Sequence, residues 1–595
     1  MSRPAFQYSW RDLMQRVLAH RRELILANLI AVGATLAAVP VPLLLPVLVD
    51  EVLLGQPGPV LPAMHALLPE GWGRPAVYIG LMVLCALGLR LLSLALNVWQ
   101  TRQFTRISKD IVYRMRTRLL DHMGRVAMRE YEQLGSGAVA SRFITDINTL
   151  DEFLGTTISR LVVALLTILG TAAILIWVHW KLALLILLLN PVVILMATRI
   201  GRRVKALKKA ENQATERFQG VLTETLDAMA QLRAANREPH YLKRLAGLAR
   251  VVRDHATRYH WKSDAASRFS FTVFQFGIDV FRAAAMLTVL YSDLSVGYML
   301  AVFGYLWFML LPVQEIINMQ YKLFAARAAL QRINGLLALQ PEPVWPHRQN
   351  PFEGQKTVSV TVDHLSFAYD DAPILNDVSL HIAAGEKVAL VGVSGGGKST
   401  LVQLLLGLYS PDSGTIAYGG VPVEDIGLDV VRQHVATVLQ HPALFNDSVR
   451  ANLTLGRDLP DEALWQALEV AQLADTVRAM PDGLETQVGQ HGVRLSGGQR
   501  QRLAIARMML SDPKVVILDE ATSALDAETE YRLHRALDTF LQGRTTLIIA
   551  HRLSAVKQAQ RAYVFEDGYV VEEGHHDELL RRNGLYAQLY GDRQH

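Results

Sequence analysis

The sequence GVSGGGKST at residues 392–400 decides the fold of the C-terminal half of the chain. It fits the pattern G-x-x-x-x-G-K-[ST], in which glycines let backbone N–H groups converge on phosphate oxygens without an intervening Cβ. An apolar, strand-like segment at 387–391 precedes it and a helix is expected from Lys398, which is the context a phosphate loop requires. The expected nucleotide-binding residues are Gly392, Ser394, Gly395, Gly396, Gly397, Lys398, Ser399 and Thr400.

Within this loop, two side chains carry specific chemistry. The ammonium of Lys398 supplies a positive charge to the β and γ phosphates, and the hydroxyl of Ser399 is a ligand for Mg²⁺. The positive N-terminal end of the following helix adds to the attraction for phosphate. The sequence therefore predicts a site for ATP and Mg²⁺.

Acidic and basic groups follow two later apolar segments. Asp519 ends the apolar run 515–518, where its carboxylate can hold Mg²⁺. Glu520 comes next and can act as the general base for an attacking water, an effect of about 10²–10⁴ in rate. His551 follows the apolar run 547–550. A single histidine in that position is more often structural than catalytic, so its role depends on the neighbouring motifs.

The N-terminal half contains long apolar runs. The chain has 595 residues, 51% of them hydrophobic and 19% charged, so we expect more than one domain. A membrane-spanning helix needs about 20 apolar residues. Six candidate spans meet this need, at residues 24–49, 77–98, 161–178, 182–197, 271–291 and 298–317.

Basic residues alternate with these spans. Segments 102–142 and 199–258 are rich in Lys and Arg, whereas the alternate loops carry almost none. Because Lys and Arg favour the cytoplasmic side, these loops and both termini are expected in the cytoplasm. The net charge of +5 is explained by this topology, and no nucleic-acid partner is expected. The sequence predicts a multi-pass membrane protein, and we expect it in the bacterial inner membrane.

The pattern divides the chain into four parts. Residues 1–22 form an amphipathic N-terminal elbow helix at the water–lipid interface, or else the solvated start of a helix; no cleavable signal peptide is expected. Residues 23–335 form a six-helix transmembrane domain with long helical cytoplasmic extensions. Residues 336–356, with Pro341, Pro343 and Pro346 in the stretch 340–350, form a linker, and residues 357–595 form an α/β nucleotide-binding domain. The single cysteine, Cys85, is interpreted as a small core residue.

The C-terminal domain resembles the nucleotide-binding domain of ATP-binding cassette (ABC) transporters over nearly its whole length. Residues 495–499 read LSGGQ, the signature of that family, and they follow the phosphate loop by about a hundred residues. The resemblance implies that Tyr369 stacks on adenine, that Gln440 senses the γ-phosphate and Mg²⁺, and that His551 contacts the γ-phosphate. It also implies contact with a partner's ATP by Leu495, Ser496, Gly497, Gly498, Gln499 and, after Ser523-Ala524-Leu525, Asp526.

The membrane half resembles the six-span exporter-type (type IV) fold of the same family over residues 1–335. The pattern from Ser136 to Asp146, together with Pro312 and Arg332, carries this likeness. One departure is present: exporters usually show Glu and Arg before the signature, where this chain reads VGQHG at 488–492. The departure puts the charge-based part of interdomain communication in doubt, but not ATP hydrolysis.

The resemblance also implies a partner chain. In this family each ATP lies between the phosphate loop of one motor and the signature of another, and this chain has one of each. Two identical chains would form two working sites, so a homodimer is the first expectation. A heterodimer with a related half is the alternative.

Four functions are compatible with parts of this pattern. The leading one is an ATPase that exports or flips a hydrophobic, amphipathic, lipid-like or peptide substrate. An exporter-fold importer of a siderophore-like molecule is the alternative, and an ATP-gated channel is disfavoured by the active-type residue Glu520. The six spans exclude a soluble cassette ATPase of chromosomes or ribosomes.

Charged residues within the spans are the candidates for a substrate cavity. Such groups usually face protein or a water-filled pathway. Asp279 and Arg282 are three residues apart and could instead pair with each other. Three arginines against two acids favour an anionic or amphipathic substrate. The five candidates are Arg90, Arg160, Asp279, Arg282 and Glu315.

Overall fold

The computed structural model describes residues 7–67, 74–369, 372–439, 442–489, 492–519, 527–550 and 553–591, and the side chains of 186–203 are not among those described. The chain forms two compact units. The first comprises Met1–Asp121 and Gly137–Ala338, and the second comprises His122–Ser136 and Leu339–His595. Residues 122–136, which the sequence places in the membrane domain, therefore group with the motor.

The first unit is built from helices. In chain order they are α1 (Trp10–Ala19), α2 (Arg21–Ala38), α3 (Leu44–Pro46), α4 (Val60–Leu67), α5 (Pro75–Met123), α6 (Met128–Leu134, which belongs to the second unit), α7 (Ser136–Ser141), α8 (Ile147–Glu152), α9 (Ile158–Asp227), α10 (Met229–Ala234), α11 (Glu238–Tyr291), α12 (Val296–Phe308) and α13 (Leu310–Leu337). Short π-helical segments at Val47–Leu53, Arg142–Asp146 and Phe153–Thr157 join several of them into continuous rods.

Three of these helices are far longer than a bilayer is thick. Helix α5 has 49 residues and α11 has 54, and α9 covers 70 residues that a break at His179 divides into two helices. At about 1.5 Å per residue even α5 is roughly 73 Å long, whereas the hydrocarbon core is about 30 Å thick. The prediction that the spans continue as helices beyond the membrane is confirmed.

Among the described residues, five helical stretches are long and apolar enough to cross a membrane. They are Arg21–Leu53, Pro75–Met123, Ser136–Leu185, Glu238–Tyr291 and Val296–Leu337. The sixth predicted span, 182–197, lies on the second part of α9, where most side chains are outside the described set. Helix α9 is interrupted at His179, which has an extended backbone (φ −163°, ψ 102°). The break coincides with the predicted turn between the third and fourth spans.

Prolines interrupt the first span, and a buried tyrosine compensates. Pro40, Pro42 and Pro46 lack N–H donors, so a 3₁₀ turn and a π-helical segment replace regular helix there. The Tyr305 hydroxyl, which is fully buried, donates to the carbonyl of Val39 at 2.7 Å. This bond satisfies a carbonyl next to the proline-rich turn, as a membrane-spanning helix requires.

The N-terminal helix α1 begins with a capping box. The Ser9 hydroxyl accepts from the N–H of Asp12, and the Asp12 carboxylate accepts from the N–H of Ser9. On the apolar face, Leu13 and Val17 are buried. Tyr8 exchanges two hydrogen bonds of 2.8 Å with the side chain of Asn334. The amphipathic helix thus packs within its own unit; its place relative to lipid stays a prediction.

The second unit holds two sheets. A four-stranded antiparallel sheet has the order β2-β1-β4-β5, and a six-stranded, mostly parallel sheet has the order β10-β9-β3-β8-β7-β6. The strands are β1 (Val360–Ala368), β2 (Pro373–Ile382), β3 (Lys387–Gly392), β4 (Ser413–Tyr418), β5 (Val421–Pro422), β6 (Val435–Val438), β7 (Val515–Asp519), β8 (Thr545–Ile549), β9 (Arg561–Glu566) and β10 (Tyr569–Gly574).

Eleven further helices pack around these sheets in the described part of the chain. They are α14 (Lys398–Leu405), α15 (Val423–Ile426), α16 (Leu428–His434), α17 (Val449–Thr454), α18 (Asp461–Val470), α19 (Ala474–Arg478), α20 (Gly497–Met509), α21 (Ala527–Leu541), α22 (Leu553–Lys557), α23 (His576–Arg581) and α24 (Leu585–Tyr590). The apolar strands β3, β7 and β8 lie in the middle of the large sheet, where both faces are covered.

The end of the predicted linker belongs to the motor. Phe352 is fully buried, and its ring stacks on His434 with centroids 4.7 Å apart. Burial and the nearby ammonium of Lys514 lower the pKa of His434. A neutral imidazole suits this apolar contact, so the polypeptide is anchored to the nucleotide-binding domain before β1 begins.

Candidate functional site

The phosphate loop lies between β3 and α14, and two of its glycines cannot be replaced. Gly392 has φ +138°, and a Cβ there would lie 2.0 Å from the carbonyl oxygen of Phe565. Gly397 has φ +92°, and a Cβ there would lie 2.5 Å from Leu375 Cδ2. Both backbones need glycine, because a side chain would meet strain and a close neighbour at once. The loop conformation is therefore specified by the motif.

Lys398 is the first residue of α14 and is buried. Its Nζ donates to the carbonyls of Gly392 at 3.0 Å and Val393 at 2.8 Å, so the ammonium curls over the loop. Ser394, Gly395 and Gly396 complete the loop beneath it. An ammonium, a helix N-terminus and glycine N–H groups form a donor set that fits the phosphates of ATP.

Carboxyl ends of parallel strands bring further groups to the same edge. β3 and β7 both pair with β8, and Ile549 of β8 lies opposite Leu390 on one side and Asp519 on the other. Asp519 thus ends β7, which a single strand, β8, separates from β3 and its phosphate loop. Its carboxylate and the exposed hydroxyl of Ser399 are oxygen ligands of the kind that Mg²⁺ prefers. The residues fit the expected ion.

Four predicted site residues lie outside the described residues: Gln440, Glu520, Asp526 and His551. Their strands are described, however. β6 ends at Val438, β7 at Asp519 and β8 at Ile549, within the same parallel sheet. In the sequence, Gln440, Glu520 and His551 follow these three strand ends closely. Their roles stay predictions.

Tyr369 is held beside α14 by polar and aromatic contacts. Its hydroxyl donates to Gln403 and lies 3.4 Å from the Thr400 hydroxyl, both on α14. Its ring meets the rings of Phe367 at 5.0 Å and Tyr409 at 5.2 Å, edge-on in each case. The sequence predicted Tyr369 but missed Phe367 and Tyr409, which no motif marks. These contacts position the ring beside the helix that follows the phosphate loop.

Replacing Tyr369 with Ala is expected to raise the ATP concentration for half-maximal hydrolysis by roughly 2- to 10-fold, the value of about 0.5–1.5 kcal/mol of ring stacking. The maximal rate should change less, because adenine is distant from the reacting phosphate and stacking contributes uniform binding. Steady-state ATPase titrations measure both. Tyr569→Ala, at an exposed position of β10, is the control. A drop in maximal rate at unchanged half-saturation would contradict the assignment.

The LSGGQ signature forms the start of α20. Ser496 is the N-cap: its hydroxyl accepts from the N–H of Gln499 at 3.2 Å, and its own N–H donates to Gln499 Oε1 at 2.8 Å. Leu495 and Gly498 are buried, whereas Gly497 begins the helix. The capping box leaves the proton of the Ser496 hydroxyl available, at the positive end of a 13-residue helix. This arrangement suits an anionic ligand from outside the chain.

A cavity of about 800 Å³ lies among the helices of the first unit. Its wall is mostly apolar, and Arg90 is the charged residue that lines it. A smaller adjoining cavity of about 320 Å³ is lined by Arg160 and Glu315, whose side chains pair at 3.4 Å. Three of the five predicted cavity residues therefore line these two spaces. The partnership of Arg160 and Glu315 joins distant parts of the sequence and was not predicted.

The other two candidates lie elsewhere. Asp279 and Arg282 pair with each other at 3.4 Å, and both side chains are largely exposed. Neither lines the two cavities in the described part of the chain. The sequence left open whether these two residues line a substrate cavity or pair with each other, and the structure shows the ion pair.

Comparison with known families tests the fold and the motifs together. The family model "ABC transporter" matches residues 375–523, and the model "ABC transporter transmembrane region" matches residues 24–313. The two matches cover more than half of the chain and coincide with the nucleotide site and the membrane helices. The chain is an ABC transporter.

Similar proteins extend this ABC transporter's likeness over most of its length. An ATP-dependent lipid A-core flippase of Burkholderia orbicola (strain AU 1054) is 35% identical over 81% of this chain and 82% of its own. One of Thiobacillus denitrificans (strain ATCC 25259 / T1) is 32% identical over 91% and 94%. A solved bacterial Atm1-family ABC exporter with ATP bound has a TM-score of 0.77 and 26% identity, covering 99% of both chains.

These findings confirm the main expectations from sequence. The ABC transporter fuses a helical transmembrane region to an α/β ATPase domain, as the resemblance implied. It is a multi-pass membrane protein that binds nucleotide and couples ATP hydrolysis to transport. The soluble cassette ATPase considered at first is thereby set aside.

Proposed function

We propose that this ABC transporter is one half of a homodimeric, ATP-driven lipid flippase of the bacterial inner membrane. The observation that carries the proposal is the cavity of about 800 Å³, whose apolar wall contains a single charged residue, Arg90, among the described residues. Acyl chains suit such a wall, and a guanidinium suits a phosphate or carboxylate headgroup. The names of the similar flippases support a lipid substrate.

The charge balance of the two cavities favours an anionic lipid. Arg160 is paired with Glu315, so that their charges compensate. Arg90 makes no ion pair within the described part of the chain and leaves a net positive charge in the larger cavity. An unpaired charge at the centre of a membrane-spanning helix costs at least about 2.5–3.5 kcal/mol, which a wet pathway or an anionic headgroup would reduce.

The motor would drive the cycle through the predicted nucleotide-site residues. Lys398 and the glycine loop would hold the phosphates of ATP, and Asp519, Ser399 and Gln440 would hold Mg²⁺, which compensates charge on the reacting phosphate. Glu520 would take the proton of the attacking water, and His551 would orient the γ-phosphate. The signature residues and Asp526 of each chain would close on the ATP of the other.

Topology and direction complete the proposal. Basic loops 102–142 and 199–258 support a cytoplasmic position for the ATPase domain and both termini. The domain limits 1–22, 23–335, 336–356 and 357–595 are retained as functional boundaries, with residues 122–136 joined to the motor. The exporter direction is preferred to import because the similar proteins are named flippases and an exporter.

Reconstitution tests the lipid assignment directly. The full chain is placed in liposomes with a fluorescent phosphate-bearing lipid or a fluorescent zwitterionic one, and a membrane-impermeant quencher reports which leaflet holds the probe. ATP should drive the anionic probe across faster. Equal, ATP-independent movement of both probes, with peptides or metal chelates stimulating the ATPase instead, would contradict the proposal.

Replacing Arg90 with Gln is expected to raise the concentration of anionic lipid that gives half-maximal stimulation of the ATPase by roughly tenfold. The reason is the loss of one charge-assisted hydrogen bond, which contributes about 1.5 kcal/mol or more. Basal ATPase should stay near the wild-type value, since the cavity holds no nucleotide-binding group. Arg282→Gln is the matched control, because Arg282 is a membrane arginine outside both cavities. Identical stimulation curves for Arg90→Gln and wild type would contradict the role of Arg90 in binding an anionic headgroup.

A further inference from the structure

The loop at residues 122–136 is tied to the polypeptide that leads into the motor. The N–H of Ala127 donates to the carbonyl of Gln340 at 2.9 Å, and the N–H of Glu342 donates to the carbonyl of Arg125 at 2.7 Å. These bonds flank an isolated antiparallel bridge and form a minimal two-stranded ladder. The loop follows α5, a predicted membrane helix, directly in the chain.

The side chain of Glu342 reaches the motor. Arg432 of α16 donates from Nη1 and Nη2 to the two carboxylate oxygens of Glu342, each at 2.9 Å. Both side chains are about one-third exposed. The same guanidinium donates from Nε to the carbonyl of Leu406 at 3.2 Å and from Nη2 to that of Gly407 at 2.6 Å. A planar fork with five donors can make all four contacts, whereas lysine cannot.

Those two carbonyls belong to Leu406, the C-cap of the helix that begins at the phosphate loop, and to the residue after it. α14 starts at Lys398 and ends at Leu405, so it is eight residues, or about 12 Å, long. The last carbonyls of a helix lack internal partners and carry partial negative charge, which a guanidinium satisfies. One rigid element thus has the phosphate site at one end and Arg432 at the other.

A second contact joins the same loop to the same helix. Arg129 of α6 donates to the carbonyl of Tyr369, and Glu132 accepts from the hydroxyl of Tyr409. Tyr369 in turn donates to Gln403 of α14. Burial and the carboxylate of Glu132 raise the pKa of Tyr409, so its phenol remains a donor at neutral pH. Loop 122–136 therefore contacts both the aromatic side and, through Glu342, the C-terminal end of α14.

We propose that Glu342 and Arg432 are positioning residues that carry the nucleotide state of α14 to loop 122–136. When phosphate binds, a shift of α14 moves the carbonyls of Leu406 and Gly407, and the guanidinium of Arg432 follows them. Glu342, which is paired with Arg432, then moves the ladder between 125–127 and 340–342. The inference rests on the proposed ATP-driven function of this chain but is independent of the identity of the transported lipid.

Hydrogen–deuterium exchange of the full chain in lipid nanodiscs tests this route without any transport substrate. Mg²⁺ with a non-hydrolysable ATP analogue should slow exchange in both 392–405 and 122–136 of the wild type. In Glu342→Gln, protection of 392–405 should persist, whereas the nucleotide-dependent protection of 122–136 should fall by about twofold or more. The amide retains the shape of the side chain but loses the charged, two-pronged contact.

Two further variants keep the test decisive. Glu353→Gln is the control, because Glu353 is an exposed glutamate of the same linker and has no ion pair in the described part of the chain. Arg432→Lys keeps the charge but not the fork, and should reproduce the effect of Glu342→Gln; the two together should lose no more than either alone. Lipid-stimulated ATPase should weaken in parallel with the lost protection.

Two results would overturn the inference. One is full protection of 122–136 in Glu342→Gln and Arg432→Lys. The other is a loss in both 392–405 and 122–136 that follows a lowered melting temperature, which would make the pair merely structural. If no lipid stimulates the wild type, the proposed substrate fails, but the exchange experiment still decides the role of Glu342.

Discussion

Replacing Glu520 with Gln is expected to lower sustained ATP hydrolysis by about 10²–10⁴-fold while Mg-ATP binding persists. The amide has the shape of the carboxylate but cannot take a proton from the attacking water. Glu520 follows Asp519, which ends β7 in the middle of the parallel sheet, two strands from the phosphate loop. The effect should therefore appear in the rate of hydrolysis rather than in affinity, and the nucleotide-closed dimer should accumulate.

Phosphate release and equilibrium binding of a fluorescent ATP analogue separate the two quantities. Glu566→Gln is the matched control, since Glu566 also ends a strand of this sheet but is exposed. Dimers with one Glu520→Gln chain should lose much of the activity, because both sites would be shared between the chains. Turnover close to wild type in Glu520→Gln would remove Glu520 from the mechanism.

The elements that local sequence determines were predictable. The motif contains the glycines at 392 and 397 that the positive φ angles of the loop require, and the structure places a strand before the loop and a helix after it. The LSGGQ segment similarly contains its own capping box. Apolar length likewise predicts the spans, because a bilayer requires about 20 residues whatever their partners.

Contacts between distant parts of the chain were not predictable in the same way. Arg160 and Glu315 are separated by 155 residues, and Glu342 and Arg432 by 90. Nothing in the spacing of such pairs marks them, since only the packed helices and strands bring them together. Composition also cannot tell on which face of a helix a charge lies, and Asp279 and Arg282 pair with each other and do not line either of the two described cavities.

The grouping of residues 122–136 with the motor also escaped sequence reasoning. These residues follow a long apolar helix directly, and their basic character indicates only the cytoplasmic side. Their ladder with 340–342 uses backbone groups, which every residue type provides. A sequence pattern therefore carries no record of it.

Replacing Lys398 with Ala is expected to weaken Mg-ATP binding by roughly 10- to 100-fold, the loss of a charge-assisted contact of about 1.5–3 kcal/mol, and to remove measurable hydrolysis. The ammonium is buried and held over the loop by the carbonyls of Gly392 and Val393. Binding of a fluorescent ATP analogue and phosphate release measure the two effects.

The control for Lys398→Ala is Lys387→Ala, at the opposite end of the same strand–loop unit. Lys387 pairs with Asp538 at 2.8 Å, so its removal should lower the melting temperature and leave nucleotide affinity nearly unchanged. Loss of stability and loss of binding are thereby separated. Equal affinity of wild type and Lys398→Ala for ATP would contradict the phosphate site itself. The proposed role of α14 in carrying the nucleotide state to loop 122–136 would then fail as well.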